Sequence, residues 1–119
     1  MPASSAPRRG DIVWITLNPH SGHEQAGRRP VVVISPAAYN EKVGLALFCP
    51  VTSLEKGYPW EVRIPGGLKV TGVVLADQVK SLDWRVREAR KIGVLPPAVI
   101  AEILGKLGVL LGPYDGKER

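Results

Sequence analysis

The residues best able to do chemistry stand in one short run, Glu24-Gln25-Ala26-Gly27-Arg28-Arg29-Pro30, followed at once by the apolar stretch Val31-Val32-Val33-Ile34-Ser35. The run sets a carboxylate, an amide and two guanidiniums in a turn that feeds a buried strand. A guanidinium suits a phosphate because its planar fork donates paired hydrogen bonds and stays charged at any accessible pH. Arg29 precedes a proline and is therefore biased to extended backbone. A second apolar run, Leu45 to Val51, ends at Thr52-Ser53. If the two runs are neighbouring antiparallel strands, Arg29 and Thr52 meet at one end of the sheet. That pair would make a phosphodiester site built without a metal.

Most other catalytic devices are missing. There is no P-loop, no GxGxxG and no HExxH. The chain has 2 histidines, His20 and His23, both in a polar loop. Taken alone they read as solvated loop residues. The acidic residues are scattered, with no close pair of the kind that holds two metals. Cys49, the 1 cysteine, cannot form an internal disulfide and reads as a small core residue. No cofactor is expected. The net charge of +5 and the pI of about 9.7 make nucleic acid the first partner to consider. Trp60, Trp84, Tyr58 and Tyr39 could stack on splayed bases, whereas Trp14 reads as core. Lys56, Arg85, Arg87, Arg90 and Lys91 could form a basic rim.

The elements that must position these residues are mostly strands. With 119 residues the chain suits one compact domain, 1–119, with 1–9 and 113–119 as flexible ends. Asp11 to Leu17 is rich in β-branched and aromatic residues and predicts a first strand. Pro30 to Ser35 and Leu45 to Val51 predict the next two, with a short helical turn between them over Pro36 to Asn40. Trp60 to Ile64, Gly72 to Ala76 and Ala89 to Val94 predict three more, and Asp77 to Leu82 reads as a polar connection. Ile100, Ile103, Leu104, Leu107 and Leu111 recur at helical spacing and predict a C-terminal helix stopped by Gly112-Pro113. Gly105 and Gly108 inside it would let another backbone approach, either the barrel or a second subunit. Short strands, glycine and proline turns and one packed helix predict a small, partly closed β-barrel. The N-terminus has no apolar signal region and no segment is long enough to span a membrane, so a cytoplasmic protein is expected.

Four blocks of this sequence resemble the MazF/PemK toxins of bacterial toxin–antitoxin modules. They are Gly10-Asp11-Ile12-Val13-Trp14; Glu24 to Ser35; Cys49-Pro50-Val51-Thr52-Ser53 with Lys56-Gly57-Tyr58-Pro59; and Leu75-Ala76-Asp77-Gln78-Val79-Lys80-Ser81-Leu82-Asp83-Trp84. The resemblance runs from about Gly10 to Gly112 in family order. It implies an α+β fold, an SH3-like barrel with packed helices that forms a homodimer. It implies a sequence-specific, metal-independent endoribonuclease acting on single-stranded RNA, chiefly mRNA. It also implies a cognate antitoxin whose flexible acidic segment covers the RNA surface. The family's catalytic arginine and threonine fall on Arg29 and Thr52, and its conserved glutamate falls on Glu24. Around them, RNA binding is expected from His20, Gln25 and Arg28 on one loop, from Ser53, Lys56 and Tyr58 on another, and from Gln78 and Lys80.

Glu24 has two readings from sequence, general base for a ribose 2′-OH or brace for Arg29. Two other function classes compete with the nuclease. One is a toxin on the same fold that inhibits a protein such as DNA gyrase, which has no need of the arginine–threonine pair. The other is a barrel that binds RNA without cutting it.

Overall fold

The computed structural model describes residues 5–17 and 27–118. The chain runs β1 (Asp11–Thr16), β2 (Arg28–Val33), α1 (Ala37–Val43), β3 (Leu45–Thr52), β4 (Glu61–Arg63), β5 (Val73–Leu75), β6 (Lys80–Asp83), β7 (Arg90–Val94) and α2 (Pro97–Leu111). All pairings are antiparallel. They join a seven-stranded sheet in the order β4-β5-β3-β2-β1-β7, with β6 added to β3. The result is the α+β, barrel-like architecture expected, although the sheet does not close: β4 and β7 remain its ends.

Alternation along the strands divides the core in two, since successive side chains of a strand face opposite ways. Val32 and Ile34 face one cluster, with Ile12, Cys49, Val51 and Ile103. Val31 and Val33 face the other, with Val13, Ile15, Phe48 and Trp84. The apolar run after Arg29 is thus buried on both sides, as its composition predicts. Each fully buried Phe or Ile contributes about 2 kcal/mol of transfer free energy, so both clusters constrain β2 and β3. α2 begins with proline at its first turn, where a missing N–H costs little. Its Val99, Ile100, Leu104 and Leu107 pack on the first cluster around fully buried Ile103. Gly105 and Gly108 have no neighbour within 4 Å of where a Cβ would stand, so the barrel does not approach them.

A buried polar centre ties the front of the chain down. The Ser35 hydroxyl donates to Asn40 Oδ1 (2.5 Å), Asn40 Nδ2 donates to the Pro7 and Ser35 carbonyls (2.9 and 3.0 Å), and Trp84 Nε1 donates to the Asn40 carbonyl (2.9 Å). Pro7, which falls in a stretch that reads as loose from sequence, is therefore buried and held. No buried side-chain nitrogen or oxygen among the described residues lacks a partner, as the cost of burying an unpaired polar group requires.

Most element boundaries shift by a residue or a few from the sequence reading, and two differences bear on the site. β2 starts at Arg28, because Arg28 and Arg29 pair with Thr16 and Ile15 of β1. The polar connection after β5 ends in a strand: Lys80–Asp83 pairs with Leu45–Phe48. Its exposed, polar residues hide the strand pattern, and tertiary pairing overrides weak local propensity.

Candidate active site

β1 and β2 pair Ile15 with Arg29, and β2 and β3 pair Val31 with Pro50. Continuing the β2–β3 register by two residues on each strand sets Arg29 across from Thr52. The alternation that sends Val31 into the second core cluster sends Arg29 to the same side, beyond the end of that cluster. There Arg29 lines a cavity of about 230 Å³ with Gln78, Lys80 and Arg87 as its other polar walls. Ile15, Phe48, Pro50 and Leu82 form the apolar floor. Cations set over an apolar floor are a favourable place for an anion, because a low-dielectric wall weakens screening.

Thr52, two residues after the lining residue Pro50, is not itself part of the lining. It is half-buried, and its Oγ1 accepts the Leu54 N–H at 3.1 Å. That bond uses a lone pair and leaves the hydroxyl proton to be donated. The position of Thr52 is guarded by Gly72. A Cβ on Gly72 would collide with the carbonyl oxygen of Thr52 and approach its carbon at 2.9 Å, and the φ of +117° is one that L side chains rarely adopt. We expect Gly72→Ala to cost about 2 kcal/mol or more of stability, from strain and overpacking combined. It should also lower turnover by displacing Thr52, since misplacement of about 1 Å can cost about a hundredfold. A thermal melt alongside a turnover assay checks both.

The remaining expected site residues are placed as follows. Gln78 and Lys80 line the cavity with Arg29. Ser53, Lys56 and Tyr58 lie on the exposed loop after β3, outside the cavity lining. That loop is organised by Glu61, which is buried and accepts the N–H groups of Lys56 (3.0 Å) and Gly57 (2.9 Å). An Arg63–Glu55 ion pair at 2.7 Å spans it on the outside. Glu24, Gln25 and His20 lie outside the described residues.

Arg28 does not join Arg29. As the adjacent strand residue it faces the other way, with its guanidinium 5.1 Å from the centre of the Trp14 ring. It lines a larger depression of about 840 Å³ with Thr16, Glu88, Arg90 and Lys91. Part of the charge there is already paired, because Asp11 accepts the Arg8 N–H (2.8 Å) and meets Lys91 at 3.5 Å. Of the aromatic expectations, those for Trp14 and Trp84 change, while Trp60 stays partly exposed. Trp14 is half-buried under Arg28. Trp84 belongs to the core, only 3% exposed, and cannot stack on a base. Tyr58 and Tyr39 are exposed.

The cavity residue that the sequence placed only on a general basic rim is Arg87. Strand parity reveals Arg29, but Arg87 sits on an irregular turn and no periodicity marks it. Among the described residues no group of three or more His, Cys, Asp or Glu side chains is set to hold a metal ion.

Residues 8–111 match the model of the PemK-like, MazF-like toxins of type II toxin–antitoxin systems. The chain belongs to this family. Among its relatives, the endoribonuclease toxin MazF of Escherichia coli K12 is 48% identical over 106 residues, which are 89% of this chain and 95% of that protein. The Escherichia coli endoribonuclease PemK is 36% identical over 107 residues, 87% of this chain and 80% of that one. In structure the fold follows MazF crystallised from Deinococcus radiodurans (TM-score 0.80, 56% identity, 91% of this chain and 98% of that chain). It also follows MazF in a MazE–MazF complex from that organism (TM-score 0.82, 50% identity, 92% and 98%). Asp11–Trp14 of the first block of the MazF/PemK resemblance lie on β1, Arg28–Val33 of the second on β2 and Cys49–Thr52 of the third on β3, while Leu75, Gln78, Lys80 and Leu82 of the fourth line the cavity.

Proposed function

We propose that the protein is the toxin of a toxin–antitoxin pair, an endoribonuclease that cuts single-stranded RNA at the Arg29–Thr52 end of the sheet. The observation that supports this reading is the antiparallel pairing of β2 with β3, whose register, extended by two residues, would bring Arg29 towards Thr52, together with a cationic cavity at Arg29, in a chain of the MazF/PemK family. RNA brings its own nucleophile. Attack of the 2′-OH on the adjacent phosphorus forms the 2′-oxygen–phosphorus bond and breaks the bond to the 5′-oxygen. The products are a 2′,3′-cyclic phosphate and a 5′-OH end. Negative charge grows on the non-bridging oxygens, where the Arg29 guanidinium and the Thr52 hydroxyl donate to it. Gln78 and Lys80 position the strand. Glu24 either takes the 2′-OH proton or braces Arg29 and leaves that proton to water, and a proton from water completes the departing 5′-OH. The loop after β3, with Ser53, Lys56 and Tyr58, supplies a wall along which base edges are read.

No protein nucleophile and no metal is required by this chemistry. The decisive experiment incubates pure protein with RNA in EDTA and identifies the ends. Cyclic phosphate and 5′-OH ends support the reading; intact RNA, or cleavage that returns only with added metal, overturns it. A gyrase-type inhibitor on the same fold would leave the RNA intact.

The protein is further proposed to act in the cytoplasm as a homodimer held in check by an antitoxin with an acidic segment. A MazE–MazF complex is known for the Deinococcus relative. The net charge of +5 suits an acidic partner. The exposed end of α2, with Val109, Leu110 and Leu111 beside the open Gly108, suits a second copy. No helix among the described residues is long and apolar enough to cross a membrane.

A further inference from the structure

Arg87 is the cavity residue whose attachment is most specific. Its backbone carbonyl accepts the Thr16 N–H at 2.8 Å. Its Nη1 donates to the carbonyls of Thr16 (3.1 Å) and Leu17 (2.6 Å). Three hydrogen bonds therefore fasten Arg87 to the last residues before the 18–26 segment, which carries Glu24. Arg87 also lines the cavity with Arg29, and Nη1 is only one corner of its guanidinium fork. The turn that carries Arg87 is held by Asp83, whose carboxylate accepts the N–H groups of Arg85 and Val86, both at 3.0 Å. The next residue, Glu88, has φ +54°, the only positive φ outside glycine among the described residues. Strain of this kind persists where the surroundings over-determine a conformation, and it concentrates at functional positions.

We infer that Arg87 is a further cation of the site beside Arg29 and Lys80, and that it binds an RNA phosphate next to the scissile one. The inference rests on the endoribonuclease reading. It explains why the position is an arginine: a lysine could supply the charge but not grip two carbonyls and keep donors facing the cavity.

The test uses binding of mixed-sequence single-stranded DNA, which lacks the 2′-OH and is not cut, together with RNA turnover. Each phosphate contact contributes a slope of about −0.7 to log K against log salt on a single strand. Arg87→Met should weaken binding about fivefold or more and flatten the salt slope by about 0.7, the value for one lost phosphate. Unchanged affinity and slope in a folded Arg87→Met would overturn the inference. Arg87→Lys keeps the charge and carries the test if the methionine variant does not fold. It should retain the wild-type slope while binding weakens about threefold or more, because a point charge cannot keep both carbonyls and a phosphate. Affinity equal to wild type would overturn the inference. These failures would leave the wild-type nuclease intact. Failure of the endoribonuclease reading itself would show in the wild type, as RNA left uncut.

Discussion

Replacing Arg29 with alanine should lower RNA cleavage by about a hundredfold or more, the cost of about 3 kcal/mol for losing one preorganised donor to a developing oxyanion. The fold should survive. Arg29 is exposed at the end of β2, and the ladder that holds the strand is carried by Val31, Val32 and Val33. A thermal melt should therefore move little while turnover collapses. Arg29→Lys should recover only part of the loss, because a point charge cannot span two phosphoryl oxygens. Thr52→Val, which keeps shape and removes the hydroxyl, should give a smaller loss. Single-turnover assays with saturating enzyme in excess of RNA separate these effects on chemistry from effects on binding. Toxicity that persists in the folded Arg29→Ala variant would favour a protein target over RNA.

The second large effect is expected from the substrate. A ribose changed to 2′-deoxy at the scissile position removes the nucleophile, so cleavage at that bond should fall to background while binding is retained. The same change one nucleotide away should leave cleavage nearly intact. Continued cleavage at the deoxy position would rule out attack by the 2′-OH and require water or a protein group in its place. The pair of experiments is complementary: one removes the donor to the developing charge, the other removes the source of that charge.

How much of this was legible in the sequence depends on where each residue sits. Arg29 and Thr52 each adjoin an apolar run of strand length, so their meeting could be reasoned from two periodic segments and one assumption of antiparallel pairing. The register later supplied that pairing. The same alternation rule, applied one residue earlier, separates Arg28 from Arg29, a distinction composition alone blurs. β6 was read as a polar connection because Lys80 and Ser81 are exposed and the strand exists only through its ladder to β3. Trp84 is core and Trp14 half-buried under Arg28, because burial of an aromatic is decided by which cluster its strand or turn faces, which no local pattern encodes. Arg87 was least legible. Its importance comes from hydrogen bonds to residues 70 and 71 positions away in the chain.

Cys49 sits on the strand that ends in Thr52, fully enclosed, and burial first and the nearby Asp77 charge second push its thiol up to about 12. The thiolate is the form that attacks an alkylating reagent, so the native protein offers such a reagent almost nothing to react with at neutral pH. Labelling of Cys49 therefore reports how often β3 comes away from its neighbours. The thiol works as an internal clock for opening of the strand that carries half of the proposed catalytic pair. Slower labelling on adding an antitoxin or an uncleavable oligonucleotide would measure, in units of time, how firmly each clamps that strand shut.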